Sequence, residues 1–70
     1  MTTVYDVAQL LKKYGIILYL GKRQWDMEMM EYELTELFKH KILDREVYAR
    51  ARSILKVEID KEKAKNNVVD

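Results

Sequence analysis

KKYGIILYLGKR, residues 12–23, is the stretch on which the reading of this chain turns. Five apolar residues, Ile16 to Leu20, lie between Gly15 and Gly21, with Lys12 and Lys13 before them and Lys22 and Arg23 after. Such a segment reads as a strand, a membrane contact, a nucleic-acid grip or a buried linker. A lone strand of this length is not stable without partners. Membrane contact needs a longer apolar face than five residues offer. The remaining chain therefore decides the matter, and its pattern is helical on both sides of the two glycines. The default is an apolar connector whose glycines turn the chain while IILYL lies across a helical bundle.

The sequence has 70 residues, 49% hydrophobic and 36% charged, with no proline and no cysteine. One small domain of this composition folds rather than staying disordered, close to the size at which a single core only just outweighs chain entropy. The missing cysteines exclude disulfides and thiolate metal sites. No run approaches the roughly 18 apolar residues of a membrane span. The start, MTTVYDV, has an acid and no basic region, so no signal peptide is expected. A cytoplasmic protein without membrane association is the expectation.

Helical spacing predicts three elements in an all-α, compact three-helix bundle. The first spans about Val4 to Tyr14, capped by Thr3 with Asp6 three residues on, and is ended by Gly15. Val4, Val7, Ala8, Leu11 and Tyr14 form its apolar stripe. The second spans about Gln24 to Lys39. Met27, Met30, Leu34, Leu37 and Phe38 fall on one face; Trp25, Met29 and Tyr32 form a second stripe opposite. A helix apolar on two sides is central or faces a partner. The connector is expected to cover this second stripe. The alternative is an exposed patch that binds a partner or pairs protomers. Asp44 caps the third helix, with Leu43 and Tyr48 at the positions of a hydrophobic staple. That helix is expected to weaken after about Glu58. The domain is thus residues 1–59, with 60–70 a polar, frayed tail.

YDVAQLLKKYG, LYLGKRQWD, MMEYELTEL and YARARSIL, in this order and spacing, resemble the YqgQ-like family of small bacterial proteins. The resemblance covers about Tyr5 to Val57. It implies a compact three-helix fold in cytoplasmic proteins of low-GC Gram-positive bacteria, in a family described as a domain of unknown function. It brings no catalytic residues. LTELFKHKILDREVYARARSIL is also similar to short helical-hairpin modules, which usually carry glycine in the turn where His40 and Lys41 stand here.

The inventory for chemistry is poor, and neither an enzyme nor a cofactor is expected. There is one histidine, His40, and one serine, Ser53, with no nucleophile elbow around it. Glu33, Glu36 and His40 share a helix, but metal sites ask for three or four ligands, usually from several elements. A solvated helix face explains them better.

Charge gives a sharper hypothesis. Net charge is +1, yet Val7 to Trp25 holds Lys12, Lys13, Lys22 and Arg23 and no acid. Tyr5, Tyr14, Tyr19 and Trp25 interleave with them, the mixture that grips single-stranded RNA or DNA through phosphate contacts and base stacking. Arg45, Arg52, Lys56 and Lys63 recur on one face of the third helix. A candidate nucleic-acid surface therefore comprises Lys12, Lys13, Tyr19, Lys22, Arg23, Arg45, Arg52 and Lys56. The rival is a protein-interaction module built on Trp25, Met29 and Tyr32. Arg23 is expected to pair with Asp26 and pin the connector to the second helix.

Overall fold

Thr3 starts the first helix through a reciprocal pair of bonds. Its hydroxyl accepts the Asp6 N–H at 3.2 Å, and the Asp6 carboxylate accepts the Thr3 N–H at 3.1 Å and the Thr2 N–H at 2.8 Å. Two of the donors that a helix start leaves unpaired are thereby satisfied. The computed structural model describes residues 1–66, and three helices account for most of them: α1, Val4–Lys12; α2, Arg23–Lys39; α3, Arg45–Asn66. No strand occurs among the described residues. The fold is an all-α three-helix bundle.

Each of the first two helices closes in a Schellman turn. After α1 the Ile16 N–H reaches the Leu11 carbonyl at 3.1 Å and the Gly15 N–H reaches Lys12 at 3.0 Å, with Gly15 at φ 78°. After α2 the same pair of bonds runs from Ile42 to Leu37 at 2.9 Å and from Lys41 to Phe38 at 3.0 Å. Here the left-handed residue is Lys41, at φ 61°, where a side chain costs energy that glycine avoids. Asp44 then caps α3, its carboxylate accepting the Val47 N–H at 2.8 Å. Tyr14, expected inside α1, instead belongs to the closing turn and is exposed.

α3 packs antiparallel to α2. Tyr48 stacks on Phe38 with ring centroids 4.3 Å apart, and its hydroxyl lies 3.2 Å from the Thr35 hydroxyl. Arg52 meets Glu31 at 3.4 Å, and at the far end the Asn66 side-chain amide donates to Gln24 at 3.2 Å. The sequence reading expected α3 to weaken after about Glu58. The helix continues to Asn66, with Ile59 buried in the core and with Glu58 and Glu62 each 3.8 Å from Arg23. These tertiary partners hold a segment that has little apolar periodicity of its own. Residues 67–70 of the expected tail lie outside the described residues.

The core is entirely apolar: Val7 and Leu11 from α1; Met27, Met30, Leu34 and Leu37 from α2; Leu43 from the turn; Ala51, Leu55 and Ile59 from α3. The fully buried side chains among them supply roughly 1.5–3 kcal/mol each, which makes this cluster the main source of stability. No polar or charged residue is buried among the described residues.

Two predictions follow from the caps. Replacing Lys41 with glycine should stabilise the protein by about 0.5–1 kcal/mol, because relief of the left-handed side chain outweighs the added freedom of the unfolded chain. Denaturant titration of K41G reads this as a raised midpoint at unchanged slope. The backbone N–H groups of Thr2 and Thr3 hold the Asp6 carboxyl below its usual range. A lowered folded-state value means stability present above the ordinary aspartate range and lost as pH falls through the folded value. The thermal midpoint of Asp6→Asn should therefore lie below that of the parent at pH 7, and the gap should close on acidification.

Candidate interaction surface

The connector alternates as an extended chain does. Ile16 and Leu18 turn inward against the core, while Ile17 and Tyr19 turn out and are 76% and 86% exposed. Leu20 is half-exposed, and its N–H donates to the Asp26 carboxylate at 2.6 Å. That bond ties the end of the connector to the first turn of α2. The connector borders α1, sharing a groove with Ala8, Leu11 and Met30.

The connector does not cover the second stripe of α2. Trp25, Met29 and Tyr32 are 54%, 37% and 56% exposed, on the face opposite Met27, Met30, Leu34 and Leu37. The expectation of a buried stripe is corrected for a geometric reason. The apolar side chains of the connector reach the core through the α1 side of α2, and its anchor, Asp26, leaves Trp25 and Met29 on the outer side. The end of the connector instead shares a pocket with Asp26, Met27 and Met30. Trp25 and Tyr32, each about half exposed and carrying roughly 150–250 Å² in full, form one apolar stripe with Met29, while Ile17 and Tyr19 are exposed separately on the connector. The largest patch of a typical monomer is about 300–600 Å² and is often functional.

Pinning of the connector also differs from expectation. Arg23 does not pair with Asp26 but bridges to Glu58 and Glu62 of α3. Asp26 pins the connector through the Leu20 backbone instead. A carboxylate held by a main-chain N–H is invisible to a search for opposite charges one turn apart.

The basic residues are spread around the bundle. Val4, at the start of α1, shares a surface pocket with Gly21 and Arg23. Nine helical residues put Lys12 roughly 12 Å from Val4. The Lys12–Lys13 pair and the Lys22–Arg23 pair thus occupy opposite ends of α1. Lys22 lies 5.1 Å above the Trp25 ring, a cation–π contact. On α3, Arg52 faces Glu31 and Lys56 pairs with Asp60 at 3.5 Å, whereas Arg45 is exposed with no ion pair among the described residues. Of the eight residues read as a nucleic-acid surface, Lys12, Lys13, Tyr19, Lys22 and Arg23 lie in or beside the connector, Arg23 turned towards Glu58 and Glu62, and Arg45, Arg52 and Lys56 belong to α3. Ile17 and Leu20 are exposed, as the alternative of an exposed IILYL patch expected, and Tyr5 is exposed on α1. In IILYL every residue is apolar, so the period-2 signal that separates inward from outward positions is absent.

Glu36 lies 3.5 Å from Lys39 and 3.8 Å from His40, ordinary pairs along one helix. Among the described residues no group of three metal-ligating side chains is placed to hold an ion. No helix among them is long and apolar enough to cross a membrane.

The YqgQ-like family model matches residues 1–61, spanning all of α1 and α2 and most of α3. The chain belongs to the YqgQ-like family. A YqgQ-like relative, "Uncharacterized protein YqgQ" of Bacillus subtilis (strain 168), is 43% identical over 63 residues, covering 90% of this chain and 89% of the relative.

If the Asp26 carboxylate is what holds the connector, Asp26→Ala should cost about 1 kcal/mol, the worth of one hydrogen bond to a charged acceptor at a partly exposed site. Amide exchange at Leu20 should accelerate about tenfold or more while the amides of Leu34 and Leu55 slow or quicken only with global stability. Unchanged exchange at Leu20 would show that the bond does not restrain the connector.

Proposed function

We propose that this protein is a non-enzymatic cytoplasmic interaction module that binds a protein partner through the exposed apolar face of α2 and the adjoining connector. The observation that carries this reading is the exposure of Trp25, Met29 and Tyr32 on the face of α2 opposite the core. An exposed apolar stripe costs solubility and is retained where a partner covers it. Such a stripe can form the centre of a standard interface, which buries roughly 800 Å² on each side. Tryptophan and tyrosine are also the residue types that most often dominate interface energies.

Single-stranded nucleic acid is the second reading, favoured by one observation: Tyr19 stands almost fully exposed in a segment bounded by lysines at both ends. Against it, Ile17, Leu20 and Met29 add aliphatic surface with no use in stacking, and Arg23, Arg52 and Lys56 are occupied by carboxylates.

A photo-cross-linking residue in place of Met29, with the same residue at exposed Val57 on α3 as control, separates the readings in a Bacillus lysate. The expected result is a discrete adduct at position 29, weaker at 57, that survives ribonuclease and is destroyed by protease. A ribonuclease-sensitive adduct would favour the nucleic-acid reading, and equal diffuse labelling at both positions would sink the proposal.

A further inference from the structure

We infer that the connector is a docking edge for an extended protein segment with an apolar centre and acidic ends, which adds to residues 16–20 as a β-strand. This rests on reading the exposed apolar surface as a protein-interaction face, and it specifies where and how the partner lies.

Three observations converge on it. First, the main-chain groups of Ile17, Leu18 and Tyr19 neither donate nor accept a backbone hydrogen bond among the described residues, whereas Ile16 and Leu20 on either side are tied down. A short run of apolar residues whose side chains alternate in and out, and whose N–H and C=O groups have no backbone partner among the described residues, is the kind of template that strand addition uses. Gly15 and Gly21, both at positive φ, bound the run, and nothing lies within 4 Å of where a side chain would project from either. A second chain can therefore run past both ends.

Second, a groove of about 230 Å³ lies beside the same residues. Ala8, Leu11, Leu18 and Met30 make it apolar, with Lys12 and Gln9 its polar lining residues. That volume accommodates one or two apolar side chains of an added strand. A nucleobase placed there would leave most of its hydrogen-bonding edge unmet, which costs free energy. The apolar lining thus suits aliphatic side chains of a protein segment.

Third, charge fixes the chemistry of the ends. Lys12 and Lys13 stand at one end and Lys22 at the other, none of them in an ion pair among the described residues. The carboxylate that touches the connector, Asp26, is engaged by the Leu20 N–H. A second copy of this chain is a poor occupant. Antiparallel pairing centred on Leu18 sets Lys13 opposite Arg23 at both ends, and parallel in-register pairing sets each lysine against itself. Like charges directly opposite destabilise a strand pair. Carboxylates at the ends of a foreign strand meet these lysines favourably.

The test is selection of a random nonapeptide phage library on the full-length protein, followed by anisotropy and amide exchange with the enriched peptides. Enriched sequences should alternate apolar residues in the centre and carry Asp or Glu at the ends. Their binding should weaken about tenfold, or 1.4 kcal/mol, in a Lys12→Glu/Lys13→Glu variant that retains the parental melting temperature. Bound peptide should slow exchange at one or more of the amides of Ile17, Leu18 and Tyr19. No enrichment, enrichment of basic or helix-forming peptides, or bound peptide that leaves those three amides unprotected would each overturn the inference. A protease-sensitive adduct at position 29 alongside any of these would discard the strand mode alone, whereas a ribonuclease-sensitive adduct would discard the interaction reading beneath it.

Discussion

Leu34 and Met27 are all but sealed from solvent, and the rest of the molecule is arranged around the face of α2 that carries them. One side of that face receives Val7 and Leu11 of α1 together with the inward residues of the connector; the other receives Ala51, Leu55 and Ile59 of α3. A helix of about 10 Å diameter can be walled on two sides by two neighbours and still leave a third of its circumference open. In a chain of 70 residues no further element exists among those described to close it. The exposure of Trp25, Met29 and Tyr32 is thus a consequence of how few elements there are, combined with a sequence that placed large apolar residues where they could not be buried.

The polar contacts serve orientation more than energy. Arg23 with Glu58 and Glu62, and Arg52 with Glu31, are surface pairs at 3.4–3.8 Å, a type that contributes little individually. They lie at successive points along the α2–α3 seam and fix its register, as the Phe38–Tyr48 stack does near the turn. Through this seam the polar second half of α3 stays helical beyond the last core residue. The connector is held differently, by one Schellman turn at its start and one carboxylate at its end, with two inward side chains between. It is consequently the part of the structure whose main chain remains available to another molecule.

Caps and turns were legible because they depend on neighbours in the chain. Thr3 with Asp6, Gly15 and Asp44 each act over three to five residues, and each stands where its spacing placed it. The helical stripe Val7, Leu11, Met27, Met30, Leu34, Leu37, Leu55 was equally readable, since a 3.6-residue period states which side chains share a face. Lys41 was harder. The Schellman turn it closes has the bonds of the one at Gly15, but lysine carries no signal for a left-handed backbone, and just beyond it Leu43 is buried in the core.

By itself, then, the sequence determined the number and type of elements, their caps and the identity of the core face, because each is a property of local spacing. Only the tertiary structure decided which of the two apolar faces of α2 would be covered, how far α3 would run, and which carboxylate would hold Arg23 and which the connector. Those outcomes depend on where a ten-residue link can reach once the core has formed. With Ile16 and Leu18 drawn into the α1 side of α2, it cannot also span the opposite face, and periodicity along a chain carries no information about that reach.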